Sequence, residues 1–408
     1  MANRRAILTA GVGLVTGLTT TACSDSRTTW GTPGSGQAKA TPSPTSAVRL
    51  TVTPAAETTP VSPVTPIVVA AEGGTLQTVA VTADTKAVEG ALDTDQRTWR
   101  SSGNLEYGKT YTVTVSAVDP AGIPTQHTST FTTIKPTATA SATFQANALL
   151  ALKTGGTYGV GQPVIVRFGR AVKDRAAAEK AMTVTPEPAV EGRWRWIDSQ
   201  TAHWRPAKYW AAGTKITVKV ESFGVDLGGG VYGAGNVSTN FVIGPSQVAI
   251  ADASTHRMLV YINGAMVRDI PVSLGKKQTV KAADGHTINY ETSSGVHVVL
   301  NKEAKVRMTS GSYGITNSKD PNYYDEEIKL CSRITYSGEY VHLADWASSM
   351  NAQGRSNVSH GCINVGPSHA QWFYDTFRIG DVVEVKNSTN ILTLTNGLGD
   401  WTVAWDKW

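Results

Sequence analysis

The sequence predicts a mostly β protein made of two β-sandwich domains and a third β-rich domain with one or two short helices. Apolar and polar residues alternate at period two in short runs, as half-buried strands require. Two short motifs recur at a nearly constant offset in the first half of the chain. The second half continues with short apolar runs separated by turns, among them Asn263-Gly264, a pair typical of hairpins.

The N-terminal segment, residues 1–23, has the pattern of an export signal. Arg4 and Arg5 precede an apolar stretch, residues 6–18, that is too short to span a bilayer comfortably. Small residues before Cys23 resemble a lipoprotein cleavage box. We therefore expect an exported protein in which a lipidated Cys23 tethers the chain to the outer face of the cytoplasmic membrane. Plain cleavage and an uncleaved anchor are the alternatives.

Residues 24–46 are predicted to form a disordered linker. The segment is rich in Ser, Thr, Pro and Gly, as in Thr41-Pro-Ser-Pro-Thr-Ser46, and it is too poor in apolar residues to pack. A chain of this kind gives the domains that follow reach away from their anchor.

An internal repeat predicts two similar domains, residues 47–135 and residues 136–245. Two motifs recur at offsets of 102 and 105 residues, Val88-Glu-Gly90 as Val190-Glu-Gly192 and Trp99-Arg100 as Trp204-Arg205. That spacing is the length of one immunoglobulin-like (Ig-like) sandwich. No cysteine pair pins either copy, so the likeness is one of architecture. Residues 174–181 are the one helix-like stretch in the second copy.

A third domain, residues 246–386, is predicted from the succession of strand-like runs that follows. Residues 248–252 and 258–262 are interpreted as strands, and further strands are expected over residues 267–274 and 296–300. With one late helix, this succession predicts a β-rich sandwich or open barrel. Residues 387–408 form a Trp-rich C-terminal extension.

Two segments of this domain carry the chemistry, Tyr340-Val-His342 and Ser359-His-Gly-Cys-Ile-Asn364. A cysteine nucleophile needs a base such as histidine to supply thiolate near neutral pH. Sixteen residues separate His342 from Ser359, so the loop between them must fold back to bring base and thiol together. If residues 359–364 are extended, His360, Cys362 and Asn364 share one face.

The pattern His-x16-Ser-His-Gly-Cys-x-Asn resembles the signature of the L,D-transpeptidases, cysteine enzymes with a YkuD-type catalytic domain that cross-link bacterial peptidoglycan. The flanks Gln371-Trp-Phe-Tyr374 and Gly380-Asp-Val-Val-Glu-Val385 resemble the helix and closing strand that follow the nucleophile there. The likeness is to mycobacterial enzymes with two Ig-like domains, and it runs from about residue 47 to Trp408. It implies an exported acyltransferase of the periplasm and cell wall that uses no metal or other cofactor.

The resemblance also implies catalytic roles. Cys362 corresponds to the nucleophile that attacks an acyl carbonyl, and His342 to the base that takes its proton. The main-chain carbonyl of Leu343 corresponds to the group that orients the histidine ring. The amides around His360, Gly361 and Cys362 are the natural oxyanion hole, because they lie beside the attacking sulfur.

Other positions match substrate contacts of the family. Residues 308–314 and 321–324 resemble the flap over the active site, and Tyr324 matches the substrate-contacting tyrosine, with Tyr323 as the alternative. Trp346 matches a cleft-lining aromatic residue, with a buried tryptophan as the alternative. The remaining expected substrate contacts are Tyr313, Ser337, Gly338, Ser359 and Asn364.

The implied reaction is the formation of 3→3 cross-links between peptidoglycan stem peptides. A donor tetrapeptide acylates the cysteine and releases D-Ala, and the side-chain amine of a second stem is the acceptor. β-Lactams, carbapenems in particular, are expected to acylate the same cysteine. Hydrolysis of the acyl-enzyme (L,D-carboxypeptidase activity) and transfer to another amine use the same residues and stay open. The Ig-like domains are expected to be spacers, with wall binding as the alternative, and the extension is expected to pack on the catalytic domain.

Composition sets further limits. A net charge of +5 over 408 residues, without clustered Lys and Arg, argues against a nucleic-acid partner. Of the three cysteines, Cys331 is expected to be a small buried hydrophobe apart from Cys362, since a close pair would be oxidised outside the cell. Zinc binding by His342, His360 and Cys362 is disfavoured, because tetrahedral sites prefer another spacing and a further ligand.

Overall fold

The computed structural model describes residues 45–282 and 284–408. The predicted signal segment with Cys23, and residues 24–44 of the predicted linker, lie outside the described residues. Among the helices of the described part, none combines the length and apolar character needed to cross a membrane. The fold is mostly β, as predicted, with two sandwiches followed by a larger sheet.

The first sandwich consists of two four-stranded antiparallel sheets, in the orders β1-β2-β6-β5 and β4-β3-β7-β8. Its strands are β1 (Arg49–Thr53), β2 (Val68–Glu72), β3 (Thr75–Ala83), β4 (Lys86–Ala87), β5 (Gly90–Leu92), β6 (Thr98–Ser101), β7 (Thr110–Val118) and β8 (Pro124–Thr132). Alternate residues of β7 face inward, so that Tyr111, Val113 and Val115 are buried in the core between the sheets.

The second sandwich packs a five-stranded sheet, β11-β10-β13-β16-β15, on a four-stranded one, β12-β19-β17-β14, beside the short pair β18-β9. Its elements are β9 (Ala138–Ala140), β10 (Ala142–Asn147), β11 (Leu150–Ala151), β12 (Gly156–Tyr158), β13 (Val164–Phe168), α1 (Arg175–Lys180), β14 (Met182–Glu187), β15 (Gly192–Trp196), β16 (Thr201–Pro206), β17 (Lys215–Glu221), β18 (Val231–Gly233) and β19 (Asn236–Ile243). The helix-like stretch predicted at 174–181 is α1, and the Asp174 side chain caps it by accepting from the Ala177 amide.

The repeated motifs form the same packing contact in both sandwiches. A β-carbon on Gly90 would lie 2.1 Å from the Trp99 ring, and one on Gly192 would lie 2.2 Å from the Trp204 ring. Both tryptophans are buried. Each sandwich therefore requires a glycine to admit a tryptophan ring, which explains why these two motifs recur together. Where one domain ends and the next begins stays a prediction.

The third domain contains a nine-stranded mixed sheet in the order β25-β30-β20-β21-β22-β29-β28-β27-β26, together with the separate hairpin β23-β24. Its elements are β20 (Gln247–Asp252), β21 (Arg257–Ile262), β22 (Ala265–Ser273), β23 (Thr279–Lys281), β24 (Thr287–Asn289), β25 (Gly295–Val298), β26 (Asn301–Thr309), β27 (Asp325–Arg333), β28 (Tyr340–Leu343), α2 (Ala347–Ala352), β29 (Ile363–Val365), α3 (Pro367–Thr376) and β30 (Val382–Lys386). Asn263 and Gly264 both have positive φ, as the predicted hairpin turn requires. The pairs β20/β30 and β28/β29 are parallel, and the remaining pairs in this sheet are antiparallel.

The C-terminal extension packs on the second sandwich as well as on the catalytic sheet, whereas the sequence predicted only the latter. The Trp401 indole donates to the Gly161 carbonyl at 2.7 Å, and the Trp408 indole donates to the Arg193 carbonyl at 3.0 Å. The Arg205 guanidinium lies over the Trp401 and Trp408 rings at 4.8 and 4.3 Å. This partner was missed because cation–π stacking between distant residues leaves no local sequence pattern.

Candidate active site

His342 lies in β28, and a main-chain carbonyl orients its ring. The residue is only 4% exposed, and its Nδ1 lies 2.7 Å from the carbonyl oxygen of Leu343. Because a carbonyl can only accept, Nδ1 carries the proton and Nε2 is left as the free base. The Leu343 carbonyl thus has the position expected for an orienting acceptor.

Strand pairing brings the two predicted motifs together. β28 runs parallel to β29, with Val341 opposite Ile363 and His342 opposite Asn364. Cys362 immediately precedes β29, so its side chain emerges beside the strand that carries His342. The two side chains line the same cavity.

Residues 359–364 do not form the continuous extended segment that would place His360, Cys362 and Asn364 on one face, because Ser359 makes only an isolated bridge to Gly275 and the strand begins at Ile363. Gly361 has a φ of +130°, which favours glycine. The Ser359 hydroxyl accepts from the Gly361 amide at 3.2 Å and donates to the Cys362 carbonyl at 2.6 Å. A bend closed by this hydroxyl therefore presents Cys362 to the cleft. The Gly361 amide already donates to the Ser359 hydroxyl. The amides of His360 and Cys362 are therefore the candidates for an oxyanion hole.

Burial fixes the resting protonation of the thiol and the imidazole. Desolvation raises the pKa of the Cys362 thiol to about 12 and lowers the pKa of His342 to about 4. The Tyr340 amide donates to the sulfur and lowers the thiol pKa, whereas the Glu339 carboxylate raises it. At neutral pH the pair is therefore an uncharged thiol and an uncharged imidazole.

Two cavities meet at Cys362. The larger, of about 680 Å³, contains seven predicted site residues in its lining: Tyr313, Tyr324, Ser337, Gly338, His360, Gly361 and Cys362. The smaller, of about 250 Å³, also contains seven: Tyr324, His342, Trp346, Ser359, His360, Cys362 and Asn364. Every residue predicted to act through its side chain or to contact substrate therefore lines one cavity or both. Leu343 lines neither, but its predicted role belongs to its main-chain carbonyl.

The sequence left two questions about aromatic residues open, namely whether Tyr324 or Tyr323 faces the cleft and whether Trp346 lines the cleft or is buried. Tyr324 lines both cavities, whereas Tyr323 is exposed and is not among the described residues that line either one. Trp346 is 38% exposed at the smaller cavity and is not a core residue. Its ring lies 6.2 Å from that of His342, at an interplanar angle of 21°.

The turn that carries Ser337 and Gly338 is fixed by the C-terminal extension. The Ser337 amide donates to Asn396 Oδ1 at 2.9 Å, and its hydroxyl accepts from Asn396 Nδ2 at 2.9 Å. The Gly338 carbonyl lies 3.8 Å from Cys362 Sγ. Asn396 therefore supports the wall of the larger cavity next to the sulfur, a role that nothing in its local sequence indicates.

His360 is enclosed by groups that the sequence did not single out. Its ring meets the Tyr290 ring edge-on at 4.6 Å, and its Nε2 lies 3.3 Å from Lys276 Nζ. An ammonium can only donate, so His360 Nε2 is the acceptor in this contact. Burial and the Lys276 charge lower the pKa of His360 to about 4, which keeps the ring neutral beside the thiol.

A buried carboxylate, Glu339, lies behind the bend. The Ser293 amide donates to Glu339 Oε1 at 2.7 Å and the Ser293 hydroxyl donates to Oε2, while His297 Nε2 lies 3.7 Å from Oε2. A β-carbon on Gly361 would lie 3.6 Å from Glu339 Cγ, so the carboxyl group is an immediate neighbour of the bend. Only the tertiary fold makes this residue part of the site.

Cys331 is fully buried in β27, and both it and Cys362 are free thiols. With Ile328 and Tyr340 it forms an apolar cluster against which Cys362 packs, so the two cysteines are closer neighbours than the sequence suggested. Within the part of the chain that the structure describes, no three His, Cys, Asp or Glu side chains are grouped as a metal site.

Comparison with known proteins agrees with this geometry. Residues 246–385 match the family model described as the L,D-transpeptidase catalytic domain, and residues 58–226 match that of a bacterial Ig domain. The chain is 38% identical to L,D-transpeptidase 2 of Mycobacterium tuberculosis (strain CDC 1551 / Oshkosh), over 84% of this chain and 79% of the relative. The chain belongs to the L,D-transpeptidase family.

Two further relatives have the same description. L,D-transpeptidase 5 of Mycobacterium tuberculosis (strain ATCC 25618 / H37Rv) is 35% identical over 90% of this chain and 77% of its own length. A solved L,D-transpeptidase from Mycobacterium smegmatis is 32% identical, covers 60% of this chain and 99% of its own, and has a TM-score of 0.47. The curated relatives and the matched family models show that the protein is an L,D-transpeptidase enzyme with Ig-like domains.

In this L,D-transpeptidase, Glu339→Gln should make Cys362 more reactive. Removing a negative charge next to the sulfur favours the thiolate, so the thiol pKa falls and alkylation by iodoacetamide at pH 7.5 should rise about tenfold, equivalent to roughly one pKa unit. The measurement is the rate of mass gain on Cys362 from pH 6 to 9. Ser293→Ala, which keeps the charge, is the control and should not accelerate the reaction. Superimposable pH profiles for wild type and Glu339→Gln would contradict the electrostatic effect.

Proposed function

We propose that this L,D-transpeptidase forms 3→3 cross-links between peptidoglycan stem peptides through a thioester on Cys362. The observation that carries the proposal is the pairing of Cys362 with His342, whose Nδ1 is bound to the Leu343 carbonyl and whose Nε2 is therefore free to take a proton. The two cavities that meet at the sulfur supply a place for each of two substrates.

In the acylation step the neutral Cys362 thiol donates its proton to the neutral His342 imidazole. As Cys362 Sγ attacks the acyl carbonyl of the donor tetrapeptide, its proton moves to His342 Nε2, and the new oxyanion is held by the amides of the bend. The carbon–nitrogen bond to the terminal D-Ala then breaks, and His342 returns the proton to the leaving amine. The products are a thioester and free D-Ala.

Transfer reverses the proton path with a different amine. The side-chain amine of the acceptor stem attacks the thioester carbonyl, His342 takes the proton that the amine loses, and the sulfur leaves and is reprotonated. Because His342 lines only the smaller cavity and exchanges a proton with both amines, we assign the departing D-Ala and then the acceptor to that side, and the acyl part of the donor to the larger cavity. Water competes for the same thioester, so positioning of the acceptor decides between transferase and hydrolase.

The chain is also proposed to be exported and anchored through Cys23, because its substrate lies outside the cytoplasmic membrane and the N-terminal sequence has a signal pattern. When the full chain is expressed in its host, wild type should fractionate with membranes and carry an acyl mass on Cys23, and Cys23→Ala should not. Membrane association that survives Cys23→Ala would favour the uncleaved anchor instead.

The nucleophile assignment predicts covalent trapping. A carbapenem should add one drug mass to the wild-type protein, because its strained acyl group is a good thioester donor, and the adduct should map to Cys362. Cys362→Ala should take up no drug and form no dimer while keeping its melting temperature. Cys331→Ala is the matched control and should behave as wild type, since Cys331 is fully buried. Turnover by Cys362→Ala would refute the mechanism.

Product analysis separates transferase from hydrolase. With a tetrapeptide donor and plentiful acceptor amine, cross-linked dimer should dominate, and tripeptide should appear only when the acceptor is scarce, because a bound acceptor excludes water from the thioester. The measurement is the ratio of dimer to tripeptide by mass spectrometry across an acceptor titration. A mixture that remains tripeptide at saturating acceptor would favour L,D-carboxypeptidase activity.

A further inference from the structure

Three consecutive acidic residues in β27 divide between the two faces of the strand. Asp325 and Glu327 lie on one face and form ion pairs, with Arg307 at 2.6 Å and Lys305 at 2.8 Å. Glu326 points to the opposite face, because side chains alternate along a strand. It is exposed, lines the smaller cavity and has no ion-pair partner among the described residues.

The two cavities differ in the charges on their walls. The larger is lined by Arg307, which is paired with Asp325, by Arg333, and by the carboxylate of Glu339, which accepts hydrogen bonds from Ser293. Among the described residues that line the smaller cavity, Glu326 is the one carboxylate, and no Lys or Arg accompanies it. The histidines there are neutral at pH 7. The smaller cavity therefore offers a cation one carboxylate that no basic side chain of its described lining neutralises.

The acceptor is a cation when it arrives. A primary amine of this kind has a pKa near that of lysine, about 10.4, so at neutral pH it is almost entirely ammonium. It must reach the thioester at Cys362 and lose its proton to His342, and both line the smaller cavity. Trp346, exposed at the same cavity, adds an aromatic face that favours a cation.

We propose that Glu326 is the acceptor-specificity residue, whose carboxylate binds the ammonium form of the acceptor amine in the smaller cavity before the amine is deprotonated. The inference rests on the proposed function, since it assigns a binding partner to one side of that site. We assign Glu326 to the transfer step, because the acyl part of the donor occupies the other cavity and only the departing D-Ala reaches the smaller one. It raises the local concentration of the acceptor over that of uncharged nucleophiles, water included.

The test compares Glu326→Gln with Glu327→Gln in the full chain. Glu327 is the matched control, because it has the same side chain one residue away on the opposite face. The probes are a tetrapeptide donor and a tripeptide acceptor with a free side-chain amine. Glu326→Gln should raise the KM for the acceptor about fivefold, as expected for one partly exposed ion pair, and should increase the proportion of tripeptide. The rate of acyl-enzyme formation should not fall, and Glu327→Gln should match wild type throughout.

The salt dependence of the acceptor KM gives an independent check. The acceptor KM should rise with salt between 50 and 500 mM, because mobile ions screen the carboxylate, and this dependence should be lost in Glu326→Gln. An acceptor KM that is equal in both proteins and insensitive to salt would overturn the inference while leaving dimer formation intact. An acyl-enzyme that gives no dimer in wild type would overturn the proposed function and the inference together.

Discussion

The parallel pairing of β28 with β29 is the constraint on which the site depends. Parallel neighbours cannot be joined by a tight turn and need a crossover of a dozen residues or more. The chain provides one between Leu343 and Ile363, with α2 within it. The sixteen-residue spacing between the two motifs is thus the length that a parallel crossover requires. The same pairing places His342 beside the residue that precedes β29, so the proposed base and the proposed nucleophile meet at one end of a strand pair buried in the sheet.

Residues that belong to one local pattern could be predicted from the sequence, and residues joined only by tertiary contacts could not. The motif around Cys362, the motif around His342, and the repeated Val-Glu-Gly and Trp-Arg motifs all lie within short stretches of chain. Asn396, by contrast, bonds to Ser337 across 59 residues, and Lys276 reaches His360 across 84. Such contacts depend on how the strands are ordered in the sheet, which alternation does not specify. The bend at Ser359 was missed for a related reason, since a side-chain hydroxyl that bonds to the main chain competes with strand geometry.

Burial gives this site a low resting reactivity. Desolvation opposes the thiolate and the imidazolium alike, so an ion pair between Cys362 and His342 is disfavoured until a substrate arrives. The Glu339 carboxylate acts in the same direction on the thiol. A carbonyl bound at the bend changes this balance, because charge that would have to reside on sulfur passes to an oxygen held by main-chain amides. A thiol at an open cleft benefits from this arrangement, since thiolate character governs susceptibility to oxidation as well as nucleophilicity.

The second sandwich is more than a spacer, because it supports one wall of the larger cavity through the C-terminal extension. Buried His203 bonds to buried Asp400 at 2.8 Å, and Arg205 donates to the Val403 carbonyl at 2.7 Å beneath the tryptophans. Asn396, which lies just before this anchored segment in the chain, bonds to Ser337 and so fixes the turn beside the sulfur. The first sandwich instead contacts the second through Tyr107, whose hydroxyl donates to the Gly233 carbonyl. Displacement of the second sandwich would therefore disturb the cavity wall through covalent and hydrogen-bonded connections, whereas the first lies one domain further from the site.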